Sequence, residues 1–294
     1  ERRVELLIGL AHSRLDRESH EGVRLAWEML GECEPNHPLV LEFFAGHAHT
    51  EDGGNEYFRL LEQGLPRLTD PEHRADRLEE LASLAMGVMG DPLLAIDQFR
   101  NIIDMGEVAR ERRTRSCERL RELLREVGRF AGLAELLESM SLMEGLDTDE
   151  QIGALAELAD LYEHDLGELE AAQRVLEQLA ELSGQYPLWL RLADVCAQIG
   201  SLEEENAALT VLWTAVHADV EDGVERMQSA GIVWPDVVLR LGRCHNAIGD
   251  HDAAIETYRH LMQLDGQREL ALQELERALM EKGDLEGLMD LLES

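Results

Sequence analysis

Val237-Val238-Leu239-Arg240-Leu241-Gly242-Arg243-Cys244-His245-Asn246-Ala247-Ile248-Gly249-Asp250-His251-Asp252-Ala253-Ala254 is the stretch that decides the fold. Up to Ile248, positions 238, 241 and 248, with His245 in the same row, share one helical face. Gly249-Asp250 interrupts that helix, and Ala254, Ile255, Tyr258, Leu261, Met262 and Leu264 give a second helix its apolar stripe. The same break returns as Gly283-Asp284, followed by Leu285-Glu286-Gly287-Leu288, a period of 34 residues. A unit of that length, two antiparallel helices around a tight turn, cannot bury its own apolar face; stacked copies bury a continuous one. The chain therefore reads as an all-α solenoid of antiparallel helix pairs. Small residues at Gly242 and Ala254 let the two backbones of a pair approach closely.

Leu241-Gly242, Gly249, Ala254, Tyr258 and Leu264-Asp265 together resemble the tetratricopeptide repeat pattern. The copy is divergent: Gly266 stands where a closing proline is usual, and His245 where the first helix carries an aromatic. The frame also fits Trp189, Leu192, Ala193, Cys196, Gly200, Leu202, Leu209 and Leu212, and before it Leu158, Ala159, Tyr162, Gly167, Ala172, Leu176 and Leu179. Turn glycines 167 and 200 are 33 apart, whereas 200 and 249 are 49 apart, so a segment near 218–233 is expected as an inserted short helix or loop. Upstream, Leu120, Leu124, Gly128, Phe130, Leu133 and Leu137 form one unit and Leu81, Ala82, Met86, Gly90, Ala95, Phe99 and Ile102 another. Leu7, Leu10, Ala11, Val23, Trp27, Leu30 and Pro35 mark the first unit, and a weak one lies across Leu39 to Leu65. Residues 118–138 and 274–293 share a Gly turn followed by Leu-x-x-Leu-Leu-Glu, a longer alternation like that of long bacterial arrays. The resemblance implies a right-handed α-solenoid over 1–294, a single array of roughly seven to eight helix pairs.

Composition agrees. Of 294 residues 45% are apolar but only 4% aromatic, with seven prolines, which favours helix. Basic residues number 27, Lys282 being the single lysine, against 61 acidic ones, for a formal charge of −34. Binding to nucleic acid or an anionic membrane is disfavoured, because phosphates would meet like charge over most of the surface. Solvated acidic helix faces account for the bulk of this charge. Cys33, Cys117, Cys196 and Cys244 are far apart and sit among apolar helical positions, so buried free thiols are expected. No run reaches the roughly 18 apolar residues of a membrane span and no signal peptide opens the chain. A cytoplasmic location is expected, with an upstream targeting signal left open because the chain starts at Glu1, as a piece of a longer protein would.

The candidates for chemistry all read blandly. His47-x-His49 before Gly53-Gly54 has a spacing of two, which does not put both rings on one helical face. Asp147-Thr148-Asp149-Glu150 and Glu203-Glu204-Glu205 read as acids at helix N-termini. With no phosphate loop, nucleophile elbow or His-Glu zinc motif, neither catalysis nor a metal or cofactor is expected. One inversion stands out: arginines 110, 112, 113, 115, 119, 121, 125 and 129 against four glutamates. Pairing with glutamates at helical spacing absorbs half of them in the simplest account.

In tetratricopeptide repeats the first helix of each pair lines the concave groove. That frame puts Arg115, Arg119, Arg191, Arg240 and Arg243 on or near the lining. Such arginines suit an extended acidic peptide or a terminal carboxylate. The lysines and asparagines of the family's carboxylate clamp are absent at these positions. The expected function is a non-catalytic protein-binding scaffold capturing a partner segment along the concave face. The alternatives are a structural strut that self-associates end to end through apolar end faces, and a regulatory segment of an enzyme whose catalytic domain lies elsewhere. The acidic segment 218–233, with Asp219, Glu221, Asp222 and Glu225, is a further candidate occupant of the groove.

Overall fold

The computed structural model describes residues 2–15, 20–143, 147–218, 220–264 and 266–293. Asp219 and Asp265 lie outside the described residues, as do the side chains of Ala11, Val23 and Glu221. Among the described residues the chain is all helix, arranged in two compact units, Glu1–Leu133 and Ala134–Ser294.

The first unit contains α1 (Arg2–Leu15), α2 (His20–Cys33), α3 (Pro38–His47), α4 (Glu51–Gly64), α5 (Pro71–Leu84), α6 (Pro92–Asp104) and α7 (Arg110–Glu126); α8 (Phe130–Ser141) runs across the division. The second contains α9 (Thr148–Asp160), α10 (Leu169–Ser183), α11 (Tyr186–Ile199), α12 (Leu202–His217), α13 (Val220–Ser229), α14 (Trp234–Ala247), α15 (His251–Leu261), α16 (Arg268–Lys282) and α17 (Leu285–Glu293). From α1 to α7, and again from α9 to α17, each helix packs on its sequence neighbour, which across such short turns makes neighbours antiparallel. Apolar residues of the helices make the core: Leu241, Leu212, Leu209 and Leu61 are wholly buried.

The Gly-Asp turns behave alike. Gly249 takes φ 85° and Gly283 φ 76°, left-handed values that end the helix cheaply only at glycine. In both, the following aspartate caps the next helix: Asp250 accepts from the Ala253 amide at 3.1 Å and Asp284 from that of Gly287 at 2.9 Å. A Cβ on Gly242 would sit 2.5 Å from Cε1 of the Tyr258 ring, the close approach expected of this small residue.

Three expectations shift. The buried row of α14 is Trp234, Val237, Val238, Leu241, Gly242 and Cys244, while His245 is half-buried and Ile248 is exposed. A helix packed on both α12 and α15 buries a wider arc than one stripe. Met86 is exposed where a core residue was expected, and Ala85 is buried instead. A π-helical turn over Ala85–Met89 adds a residue to the turn and rotates the stripe by one position. The weak unit at Leu39 to Leu65 is a complete helix pair, α3 and α4. Its turn has no left-handed glycine, only Thr50 accepting from the Gly53 amide at 3.2 Å.

The insertion is helical: α13 packs on α12 and α14 while those two also touch each other, so it stands beside the repeat stack. Asp222 and Glu225 are exposed, and Arg191, Arg240 and Arg243 have other carboxylate partners, which is against this segment neutralising them. Cys117, Cys196 and Cys244 are buried free thiols; Cys33 is half-buried.

Candidate interaction surface

The first helices of successive pairs are joined by arginines. In the first unit Arg112 on α7 reaches back to α5, where Glu72, Asp76 and Glu79 lie one turn apart along a single face. Its Nε is 3.1 Å from Glu72, Nη2 2.6 Å from Asp76 and Nη1 3.0 Å from Glu79. In the second unit Arg191 of α11 sits 2.6 Å from Asp160 and 2.7 Å from Glu163, the latter in a π-helical turn that prolongs α9. Arg240 of α14 sits 2.5 Å from Asp194 of α11 and 2.5 Å from Glu205 of α12. Arg243 sits 2.5 Å from Glu274 of α16, and Asn246 donates to Glu281 of the same helix. Burial opposes the charge on Arg112, Arg191 and Arg240, but the carboxylates outweigh it and raise all three above the ordinary guanidinium value.

Glu205 changes category here. The sequence places it among acids of a helix N-terminus, yet it is only 6% exposed and held by Arg240. It also pushes the Cys244 thiol to about 12, after burial, the larger cause. Burial likewise lifts Cys117 and Cys196 to about 11, so these thiols stay protonated and poor as nucleophiles at neutral pH. Asp147, by contrast, is the expected cap, in a capping box with Glu150. Among the described residues no group of three or more His, Cys, Asp or Glu side chains is placed to hold a metal ion. No described helix is long and apolar enough to cross a membrane.

Of the five arginines singled out from the sequence, three are thus fastened within the second unit, and the other two differ. Arg119 is 70% exposed and touches Glu122 on its own helix at 3.0 Å; Arg115 is exposed and donates weakly to the Glu111 carbonyl at 3.4 Å. Arg112, which carries the first unit's strut, was not singled out from sequence. The signal was present as opposite charges 33 to 40 residues apart, roughly one repeat, on equivalent helices. In the second unit Arg243, Asn246, Tyr258, Glu274, Arg277 and Glu281 line an open cleft of about 510 Å³ between α14, α15 and α16. In the first, Leu68, Thr69, Arg74, Met105 and Glu107 line one of about 410 Å³.

Stacked antiparallel helix pairs with small residues at the crossing, a glycine turn and a repeating first-helix face define a helical-repeat scaffold. Residues 152–186 and 235–268 each match the model of the tetratricopeptide repeat family. These two segments carry repeats of the tetratricopeptide type, the kind of repeat from which protein-interaction scaffolds are built. No curated protein matches the sequence. Similar solved structures include MamA (19% identity, covering 59% of this chain and 91% of that one, TM-score 0.34). A tetratricopeptide repeat protein from Parabacteroides merdae is 14% identical, covering 95% and 100%, with a TM-score of 0.28. The TPR2AB domain of yeast Sti1, in a complex with pHSP90, is 12% identical, covering 96% and 98%, with a TM-score of 0.30. At such scores nothing about a partner or a site passes from them to this chain.

Proposed function

We propose that the protein is a non-catalytic scaffold of the cytoplasm that captures an extended, acidic partner segment along the first-helix face of its repeats. The observation that carries this reading is the division of labour among arginines. Arg112, Arg191, Arg240 and Arg243 are engaged across helices, whereas Arg115 and Arg119 project from α7 with contacts only to their own helix. Exposed guanidinium groups four residues apart lie on one helical face and offer a carboxylate-rich segment two forks. Arg191, Arg240 and Arg243 enter as secondary anchors, since a partner carboxylate there must displace one already in place.

The test is fluorescence anisotropy with labelled acidic peptides of ten to fifteen residues, on proteins checked for fold by circular dichroism. Changing Arg115 and Arg119 to Ala is expected to weaken binding at least about tenfold, with added salt weakening the wild type similarly. Changing Arg191, Arg240 and Arg243 instead is expected to lower stability more than affinity. Equal affinity in the wild type and the Arg115/Arg119 variant overturns the reading.

A second reading, a self-associating strut, draws on exposed apolar side chains: Leu285 at 74%, Met289 at 63% and Met280 at 58% on α16 and α17, and Leu6 at 69% on α1. Sedimentation velocity across a hundredfold concentration range separates the two, because the strut requires a shift toward larger species.

A further inference from the structure

Four rings meet where the inserted helix leaves and rejoins the repeat stack. Trp213 and His217 lie at the end of α12, Trp234 opens α14, and His260 lies in the last turn of α15. Between His217 and Trp234 the described residues make α13 and its turns, so these rings lie at the base of the insertion. Trp213 stacks on Trp234 at 6.0 Å between centroids and 25°, and lies 4.0 Å from His217. His260 meets Trp213 edge to face at 5.0 Å and Trp234 at 6.4 Å, and its centroid is 5.0 Å from that of His217. His217 donates from Nδ1 to the Trp213 carbonyl at 2.8 Å, which fixes its ring in the cluster. Met227 on α13 and Ile232 after it are buried as well.

The cluster is built for neutral rings. Trp234 is 1% exposed, and neither its Nε1 nor Nε2 of His260 has a hydrogen-bond partner. We propose that Trp213, His217, Trp234 and His260 form an acid-opened clasp, in which protonation of His260 parts the rings and releases α13 from α12 and α14.

The electrostatics support this direction. Burial, and then the neighbouring His217, hold His260 below the ordinary imidazole value. Cation–π attraction to the two indoles acts in the opposite sense, favouring the charged ring. Charged side chains also stand on the packed helices, among them Glu203, Glu204 and Glu205 on α12, Asp222, Glu225 and Arg226 on α13, Asp236, Arg240 and Arg243 on α14, Asp252, Glu256 and Arg259 on α15, and Arg268 and Glu269 on α16; none is among the influences on His260, and Glu256 acts instead on His245. A base depressed in the folded state makes the unfolded or opened form bind more protons. The stability it allows is full above the unfolded value of about 6.5 and is lost as pH falls through that value toward the folded one.

Hydrogen exchange read by mass spectrometry on the full chain, corrected for intrinsic exchange, tests the clasp. Between pH 7.5 and 5.5 the amides of residues 220–232 are expected to lose protection by more than about twofold and at most about tenfold, while those of α10 and α11 change less than about twofold. In His260→Gln the acid-dependent loss at 220–232 is expected to disappear. In His217→Gln, an exposed position, the acid-dependent loss at 220–232 is expected to shrink, because His260, without the neighbour that opposes its charge, is depressed less in the closed form. No acid-dependent loss in the wild type, the same loss in His260→Gln, or an undiminished loss in His217→Gln each overturns the clasp. Should His260→Gln not fold, the comparison of His217→Gln with the wild type decides.

Discussion

The two units are built from the same helix pairs but use charge differently. The first, Glu1–Leu133, holds 18 basic and 26 acidic residues; the second, Ala134–Ser294, holds nine and 35. Where cations are scarce they are spent on holding helices together. Arg191, Arg240 and Arg243 each bridge first helices, and Lys282 spans Asp252 and Asp284 at 2.8 and 3.4 Å. Where they are plentiful, Arg112 bridges α5 and α7 and Arg24 of α2 reaches Glu56 of α4, while others stay on the surface, as Arg115 and Arg119 do. The lesson is that an arginine's role in a repeat follows from the local supply of carboxylates as much as from its slot in the repeat.

Core truncation tests whether each unit has its own core. Leu241→Ala in the second and Leu81→Ala in the first remove wholly buried side chains and are each expected to cost about 2–5 kcal/mol. Hydrogen exchange should place the loss in the mutated unit; loss spread evenly over both would break the comparison.

Arg240→Ala leaves Glu205 buried without its cation and is expected to cost about 3 kcal/mol in urea unfolding. Arg119→Ala removes only an exposed pair and is expected to stay within about 0.5 kcal/mol. Equal costs would mean that the second unit's arginines are not struts.

Turn chemistry gives the next contrast. Gly249→Ala forces a β-carbon into a left-handed turn and should cost about 1–2 kcal/mol. Thr50→Ala, which removes a cap from the glycine-independent turn of the first unit, should cost about 1 kcal/mol, both read from thermal melts. The smallest effect is a pH slope. Burial, the larger influence, holds His245 below the ordinary imidazole value despite Asp250 and Glu256. Its contribution is therefore complete above about pH 6.5 and falls as pH drops below that. His245→Phe is expected to flatten the fall in Tm between pH 7.5 and 5.5, and an unchanged slope would clear His245 of that role.

Legibility in the sequence followed the same divide. The second unit's repeats were readable because each advertises itself locally: Gly242 at a crossing, Gly249 and Gly283 at turns, an aspartate after each. The pair α3 and α4 was nearly silent because its turn rests on a threonine, and its close approach on Gly54, where a Cβ would lie 2.7 Å from Val88. At Met86 the reading slipped by one residue because a π-helical turn leaves no mark in a 3.6-residue pattern. The arginines were legible as positions but not as roles.

The sequence by itself determined the helix pair, its period and its turns, since all depend on interactions among residues a few positions apart. Only the tertiary structure decided which charges are spent and which are left over. Glu205 becomes a buried counter-ion, and Trp213, His217, Trp234 and His260 become one cluster, because helix packing sets the register between residues 21 to 47 positions apart. Tyr258 lies over Gly242 within that packing, a fit between side chains of two different helices.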